Sequence, residues 1–473
     1  MARMKNKRHF RSYDPNQSTL MPPSMHDWLP KGHLAYFVRE TVEALDLSAI
    51  LDTYDNSRGG CPAYHPLMMT QLLAYGYCIG VRSSRKIERA THESVPFRVL
   101  AANQHPDHDT ISEFRRRHAA ALGGLFKQVL DMCREQGMAK LGNVAIDGTK
   151  VRANASKHKA MSYGRMKKKR DELDEIVKGW LDEAERIDTE EDKLYGKGKR
   201  GDELPEKFRD PKTRRANIEK ALRELEARKK AEAEKKRAEI AEKEEKKQQK
   251  ERETGKKQSG RKTKPPSDKP DDKMQYNFTD PESRIMKMGS TGSFEQCYNA
   301  QVAVDADTQV IVAADVTQQA NDPKSRALRG KKQLAPMVEQ VEKNTGELPE
   351  KVSVDNGYYS DGNVEAMEER DVDAYIAAGK MKHGEKITSP RGRIPKSATT
   401  KDRMRRKLRT QKGRATYAKR KSSVEPVIGQ VKDVQGFRQF LRKGLRAVRD
   451  EWRFGCAMHN LLKLFRRRNA AMA

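Results

Sequence analysis

The stretch Val144-Ala145-Ile146-Asp147-Gly148-Thr149-Lys150-Val151-Arg152-Ala153-Asn154 sets a carboxylate directly after a short apolar strand. Val352-Ser353-Val354-Asp355-Asn356-Gly357-Tyr358-Tyr359-Ser360 repeats the arrangement about two hundred residues later. A third acid, Glu425, lies in a basic run from Tyr417-Ala418-Lys419-Arg420-Lys421 through Pro426 and Gly429 to Lys432. A carboxylate that ends a strand is exposed at the sheet edge yet held fixed. Two from adjacent strands and one from a helix can therefore share divalent metal ions, an arrangement that cuts phosphodiester bonds. Taken singly, Asp147 or Asp355 also suits a turn, where Asp bonds nearby backbone.

In this order the three stretches resemble the DDE transposases of bacterial insertion sequences. The resemblance extends to the N-terminal region and to the tail from Glu451-Trp452 through His459-Asn460-Leu461-Leu462-Lys463-Leu464, leaving out residues 165–275. It implies that Asp147, Asp355 and Glu425 are catalytic and hold two Mg²⁺ or Mn²⁺ ions. It also implies that water cuts the element end and that the freed 3′-hydroxyl attacks target DNA. The partners so implied are double-stranded DNA, at element ends and target, and further copies of the chain, as a homodimer or larger homo-oligomer pairing two ends. The implied location is the bacterial cytoplasm, at the nucleoid. Tyr417, Arg420, Glu425 and Lys432 resemble the family's spaced signature, whose basic members grip phosphates. One extra residue separates Arg420 from Glu425, so Lys421 falls where the stricter spacing has Arg. A structure-specific nuclease on the same fold and an inactive DNA-binding remnant are the alternative readings.

Composition agrees independently. Lys plus Arg number 97 against 68 Asp plus Glu, a net charge of +29, which points to a polyanionic partner. The length of 473 residues allows two or three domains. Only 35% of residues are hydrophobic, so part of the chain is solvated helix or disordered. Cysteines 61, 78, 133, 297 and 456 form no Cys-x-x-Cys pair and read as reduced thiols. His65, His105, His108 and His118 show no zinc-ligand spacing. No apolar stretch reaches the ~20 residues that span a bilayer, and the basic start lacks the apolar core of a secretory signal.

Four segments follow from the texture of the chain. Residues 1–138 read as an all-helical DNA-binding domain, with helices over Leu34–Leu51, Pro66–Ile79 and Arg85–Thr91. Thr110-Ile111-Ser112-Glu113 has the form of a capping box opening a helix that carries Arg115, Arg116 and Arg117. A basic helix after a short turn suits a helix-turn-helix reader of DNA, and equally a bundle with a solvated charged face. Residues 139–164 begin the catalytic domain.

Residues 165–275 read as an inserted arm. Leu173, Ile176, Val177, Trp180, Leu181, Ala184 and Ile187 make one apolar stripe, and a second helix from Thr213 carries Ile218, Leu222 and Leu225 before turning almost purely Lys, Glu and Ala. Gly255–Asp272 reads as a flexible linker. Residues 276–473 resume the sheet with a hairpin, Tyr298–Val304 and Gln309–Val316, then a helix over Lys324–Thr345, strand Val352–Asp355, helix Asn363–Arg370, strand Asp373–Ala377 and C-terminal helices. The whole is α/β: a ribonuclease H-like mixed sheet flanked by helices, with an N-terminal helical domain and an inserted helical hairpin. Asp305 and Asp307 fit the hairpin turn, Asp315 reads as a strand-end residue, and none of the three resembles a catalytic position. Pro426 fits either the first position of a helix or a kink within a longer one.

Overall fold

The computed structural model describes residues 27–54, 63–156, 159–176, 206–254, 265–289, 292–319, 333–379 and 397–472, with Ser24 and residues 389, 390 and 392–395. Its first part is helical: α1 (Leu34–Ala44), α2 (Ser48–Leu51), α3 (Pro66–Cys78), α4 (Ser84–Glu93), α5 (Val95–Leu100), α6 (His108–Arg117) and α7 (Ala119–Glu135). α3 is apolar on all sides because other helices surround it, and almost every one of its side chains is buried. His65 caps it by accepting the Leu67 N–H at 3.2 Å. The capping-box reading is corrected at α6. The cap is Asp107, whose Oδ1 accepts the Thr110 N–H at 2.6 Å, and the helix starts at His108. Asp caps as well as Thr does, so the helix begins earlier and the three arginines lie in its last turn.

The sheet is built on β1 (Val144–Arg152), followed in the chain by β2 (Ala160–Ser162), α8 (163–176), α9 (Glu206–Thr254), β3 (Gln275–Asn277), β4 (Arg284–Lys287), β5 (Phe294–Asp305) and β6 (Ile311–Thr317). Then come α10 (Leu334–Thr345), β7 (Lys351–Val354), α11 (Asp361–Glu368), β8 (Asp373–Ile376), α12 (Thr400–Arg409), α13 (Gln411–Gly429) and α14 (Leu445–Met472). Strand order is β4-β5-β1-β7-β8, with β6 also on β5. β5 runs antiparallel to β1, β4 and β6, whereas β7 and β8 run parallel to β1 and to each other. This mixed α/β sheet is consistent with a ribonuclease H-like domain. The expected hairpin is β5–β6. The part of the expected Lys324–Thr345 helix before residue 333 lies outside the described residues.

Asp147 does not end its strand. β1 continues to Arg152 because the twelve-residue β5 keeps pairing with it, from Val144 opposite Asp305 to Arg152 opposite Cys297. β7 pairs with only Val144–Ile146.

Between β1 and β5 a short ladder, β2 with β3, closes a segment holding α8 and α9. Tyr163, Met166 and Leu173 of the first helix pack on Ile218, Leu222 and Leu225 of the second, with Tyr276 beneath, in a small core of their own. α9 begins before the expected Thr213 and runs through Pro211, in its second turn. Val177, Trp180, Leu181, Ala184 and Ile187 lie outside the described residues, as do residues 255–264 of the expected linker.

The main core is continuous from the N-terminal helices to the sheet. α14 packs on α3, α7 and β6, and α13 crosses β1, β5, β7 and β8. Two polar side chains of α14 replace missing sheet partners. Asn460 accepts the Ile311 N–H and donates to the Ile311 carbonyl, both at 2.8 Å, and His459 Nε2 lies 3.1 Å from the Gln309 carbonyl. A buried ion pair joins the two ends of the chain: Arg82 Nη1 meets Glu451 Oε1 at 3.0 Å, with the guanidinium 4.0 Å from the Phe437 ring. Among the described residues no helix is long and apolar enough to cross a membrane.

Candidate active site

β7 ends at Val354 opposite Ile146, so the next residue on each strand is an acid: Asp147 on β1 and Asp355 just past β7. Adjacent strands stand about 4.7–4.9 Å apart, and this register sets the two carboxylates side by side. Asp147 Oδ1 accepts the Gly148 N–H at 2.8 Å. Asp355 Oδ1 accepts the Gly357 N–H at 2.9 Å, capping the turn Asn356–Tyr358, so the turn role weighed for this residue coexists with its place in the site. Burial, and then the charge of Asp355, push the Asp147 carboxyl above its ordinary range, while Arg420 opposes both.

Gly148 has to be glycine for packing reasons, since a Cβ there would overlap the side chain of Gln301 on β5. Sequence reading missed Gln301. It is fully buried, accepts from the Tyr358 hydroxyl and receives Trp452 Nε1 on its carbonyl at 3.0 Å, tying the turn after Asp355 to α14. Its one sequence signal is a polar residue in the middle of an apolar strand.

The third acid rides on α13. Thr410 caps this helix through the Gly413 N–H at 3.0 Å, and Pro426 lies inside it, which decides between the two expected placements. A proline at position 426 leaves the Ser422 carbonyl without its helical donor, and Gln309 Nε2 from the β5–β6 turn supplies one at 3.1 Å. Arg420, two helical turns after Gly413, reaches across to the sheet. Its Nη1 lies 2.9 Å from Asp147 Oδ2 and its Nη2 3.7 Å from Glu425 Oε1. Tyr417 stacks beside it, the guanidinium 5.7 Å from the ring, and burial pushes the Tyr417 phenol up.

Of the two residues left open by the spacing, Arg420 faces the carboxylates and Lys421 faces solvent. Helix gives way to a π-turn at Gln430–Val434, which turns the Lys432 ammonium onto β1, where it donates to Thr149 Oγ1 at 3.0 Å and the Lys150 carbonyl at 3.2 Å. Burial lowers its affinity for a proton.

The donor set is two hard carboxylates held together by strand register and a third reached through Arg420. Among the described residues, no three His, Cys, Asp or Glu side chains close into a metal cage. Asp147 gives one oxygen to the Gly148 N–H and the other to the Arg420 guanidinium, so beside Asp355 it fits a divalent ion only once that guanidinium has moved. Glu425 fits as a third donor only when the Arg420 guanidinium no longer separates it from Asp147.

The other expected residues lie elsewhere. Arg115 donates to the Arg82 carbonyl at 2.8 Å and to Ser84 Oγ at 3.0 Å, joining α6 to the start of α4. Arg116 pairs with Glu113 on its own helix, and Arg117 donates to the Thr53 carbonyl at 2.7 Å above the Tyr54 ring. Asp305 is buried and accepts the N–H groups of Lys140, Leu141, Asp307 and Thr308, organising the hairpin turn beside Val144, three residues before Asp147 on β1. Asp307 pairs with Lys419 at 2.7 Å. Asp315 lies within β6 and pairs with Arg449, which gives it a purpose and corrects its reading as a strand-end residue. His105 stacks on His92 with ring centres 4.0 Å apart, His108 meets Glu88 at 2.8 Å, and His118 lies 3.2 Å from the Tyr54 hydroxyl. Cys78, Cys133, Cys297 and Cys456 are buried free thiols, and Cys61 lies outside the described residues.

Two family models match the chain. Residues 23–117 match the Transposase domain (DUF772), and residues 267–461, which contain Asp355 and Glu425, match the Transposase DDE domain. Asp147 falls between the two matches and joins the candidate site through its strand pairing and its contact with Arg420. Neither a curated protein nor a solved structure matches the chain. With both transposase domains in order and acids at the sheet and on α13, the chain belongs to the DDE transposases of insertion sequences.

Proposed function

We propose that this transposase binds the ends of its mobile element, cuts there with water and joins the freed 3′-hydroxyl to target DNA. The observation that carries the reading is the β1–β7 register, which sets Asp147 beside Asp355, with Arg420 linking Asp147 to Glu425. Asp147, Asp355 and Glu425 are the proposed catalytic residues and would hold Mg²⁺ or Mn²⁺, whose preferred donors are such oxygens. When bound, two such ions supply charge that activates the attacking oxygen and stabilises the leaving one.

The remaining residues bind and orient. Tyr417, Arg420, Lys421 and Lys432 grip backbone phosphates beside the cut, Lys432 from its anchored position on β1. The helices of residues 1–138 read the element end, and Arg116, exposed and among the described residues held only by its neighbour Glu113, is the member of the arginine run best placed to meet a duplex. Two or more copies pair the two ends, at the nucleoid in the bacterial cytoplasm. The segment 165–275 assists end pairing and takes no part in the chemistry. Its helices bury their apolar residues mainly on each other, so a short Gly/Ser linker in its place should leave a folded domain.

A labelled duplex carrying the element end, incubated with the full chain and Mg²⁺ or Mn²⁺, tests the reading. Expected are cleavage at the end and joined products with a second duplex. Cleavage of branched DNA without joining would establish the nuclease instead. For the linker variant, nicking should persist while paired-end joining falls, and loss of a cooperative melt would show that the segment belongs to the core.

A further inference from the structure

Where α9 passes the sheet, a cavity of about 230 Å³ opens between its helical face and the strands β3 and β4. A water needs roughly 10–15 Å³ of such space, so the cavity has room for a hydrated polyatomic ion. Two arginines from different elements line it, Arg228 of α9 and Arg284 of β4. Arg284 is anchored: Nη1 donates to the Pro281 and Ser283 carbonyls at 2.8 and 2.7 Å, and Nη2 to Gln318 Oε1 at 3.1 Å. Arg228 is not, and its Nε is buried without a hydrogen-bond partner.

Two carboxylates share the lining, each engaged with another donor. Glu224 accepts the Tyr276 hydroxyl at 2.8 Å, and Glu282 accepts the Leu445 N–H at 2.8 Å. Among the described residues neither arginine forms an ion pair. The two guanidiniums also act on each other. Burial, and next the charge of Arg228, lower Arg284 to about 10, and burial lowers Arg228. Glu224 and Glu282 lie in the same lining and Glu232 acts on both arginines, yet the Arg228 donor stays unmet beside an ion-sized cavity, which leaves a place for a further acceptor anion.

We infer that Arg228 and Arg284 form a phosphate-binding site at the base of the inserted helices, separate from the carboxylate centre. Its ligand is a tetrahedral phosphate, either a free ion or one phosphate of a DNA backbone that runs along α9. The second source rests on the proposed function and the first does not.

The test compares the full chain with Arg228→Gln, which keeps helix propensity and length, and with Arg228→Lys, which keeps the charge but loses the fork. Inorganic phosphate, well above its dissociation constant and set against chloride at equal ionic strength, should raise the melting midpoint of the wild-type chain by a few degrees. The rise should vanish in Arg228→Gln and be partial in Arg228→Lys. Element-end binding is then measured against salt concentration. A slope lower by about 1 in Arg228→Gln identifies a backbone phosphate, and an unchanged slope with lost phosphate protection identifies the free ion. No phosphate effect on the wild-type chain together with equal slopes overturns the proposal. If Arg228→Gln does not fold, the wild-type phosphate response and Arg228→Lys decide by the same criteria. A wild-type chain that binds no element end but is protected by phosphate refutes the proposed function and leaves the site standing.

Discussion

Around β1, charged residues distant in sequence are gathered at one place, whereas along α6 three adjacent arginines go to three separate neighbours. Arg420 crosses 273 residues of sequence to meet Asp147, but Arg116 pairs with Glu113 on its own helix and Arg115 holds the start of α4. The contrast separates two kinds of charge. A strand carboxylate cannot choose its neighbours, because register fixes them. A helix-surface arginine takes whatever acceptor its long side chain can reach.

The largest expected effect tests the gathered charges. Asp147→Asn, Asp355→Asn and Glu425→Gln should each reduce end cleavage at least about a hundredfold, since metal-held carboxylates carry several kcal/mol of transition-state stabilisation. Each change keeps volume, so melting and DNA binding should stay near wild type. A mutant that cuts at an ordinary rate would remove its residue from the centre.

Next comes a charge pair buried for architecture. The side chains of Arg82 and Glu451 are 7% and 2% exposed, and Arg82→Met leaves a buried carboxylate unpaired at a cost of about 3–5 kcal/mol. Urea unfolding should register it, and a loss below about 1 kcal/mol would mean that water reaches the pair.

His459 gives a pH dependence of smaller size. Burial pushes its imidazole down to about 3 from an ordinary 6.5. Below pH 6.5 the unfolded chain takes up a proton that the folded chain refuses. Its part in stability is therefore intact above that pH and declines as pH falls toward 3. In His459→Gln, which keeps a donor for the Gln309 carbonyl, the melting midpoint should vary less over that window. An unchanged profile would assign the acid sensitivity to other groups.

The smallest effect belongs to the dispersed arginines. Arg116→Ala should change stability by less than about 1 kcal/mol, as exposed pairs do. If it meets a DNA phosphate, it should also lower the salt slope of end binding by about 1. An unchanged slope would leave Arg116 as surface charge and complete the contrast with Arg420.

The sheet was legible because its signals are local: a β-branched run ending in a turn residue at Val352–Asp355, a short apolar run opening on an aspartate at Asp373–Ala377, and a hairpin around Asp305, whose side chain organises the turn as its position suggested. The adjacency of Asp147 and Asp355 was expected only through the ribonuclease H-like reading of the whole sheet. The end of β1 was not legible, because the length of β5 decides where β1 stops. The start of α6 was missed because Asp107 and Thr110 are both good caps and only the three-dimensional path of the chain chooses between them. Pairings such as Arg115 with Ser84 or Gln309 with the Ser422 carbonyl join parts of the chain that share no periodic pattern, so no window of sequence announces them.

The Arg82–Glu451 pair also has a bearing on the timing of synthesis. Its members are 369 residues apart, and at roughly 5–20 residues per second Arg82 leaves the ribosome between about 20 and 70 seconds before its counter-charge exists. Over that interval the face of α7 that will carry α14 has nothing to cover it. The first-made helices can therefore reach their native packing only after translation has nearly finished, and a transcript cut short before Glu451 yields a chain whose opening helices are made but cannot be completed.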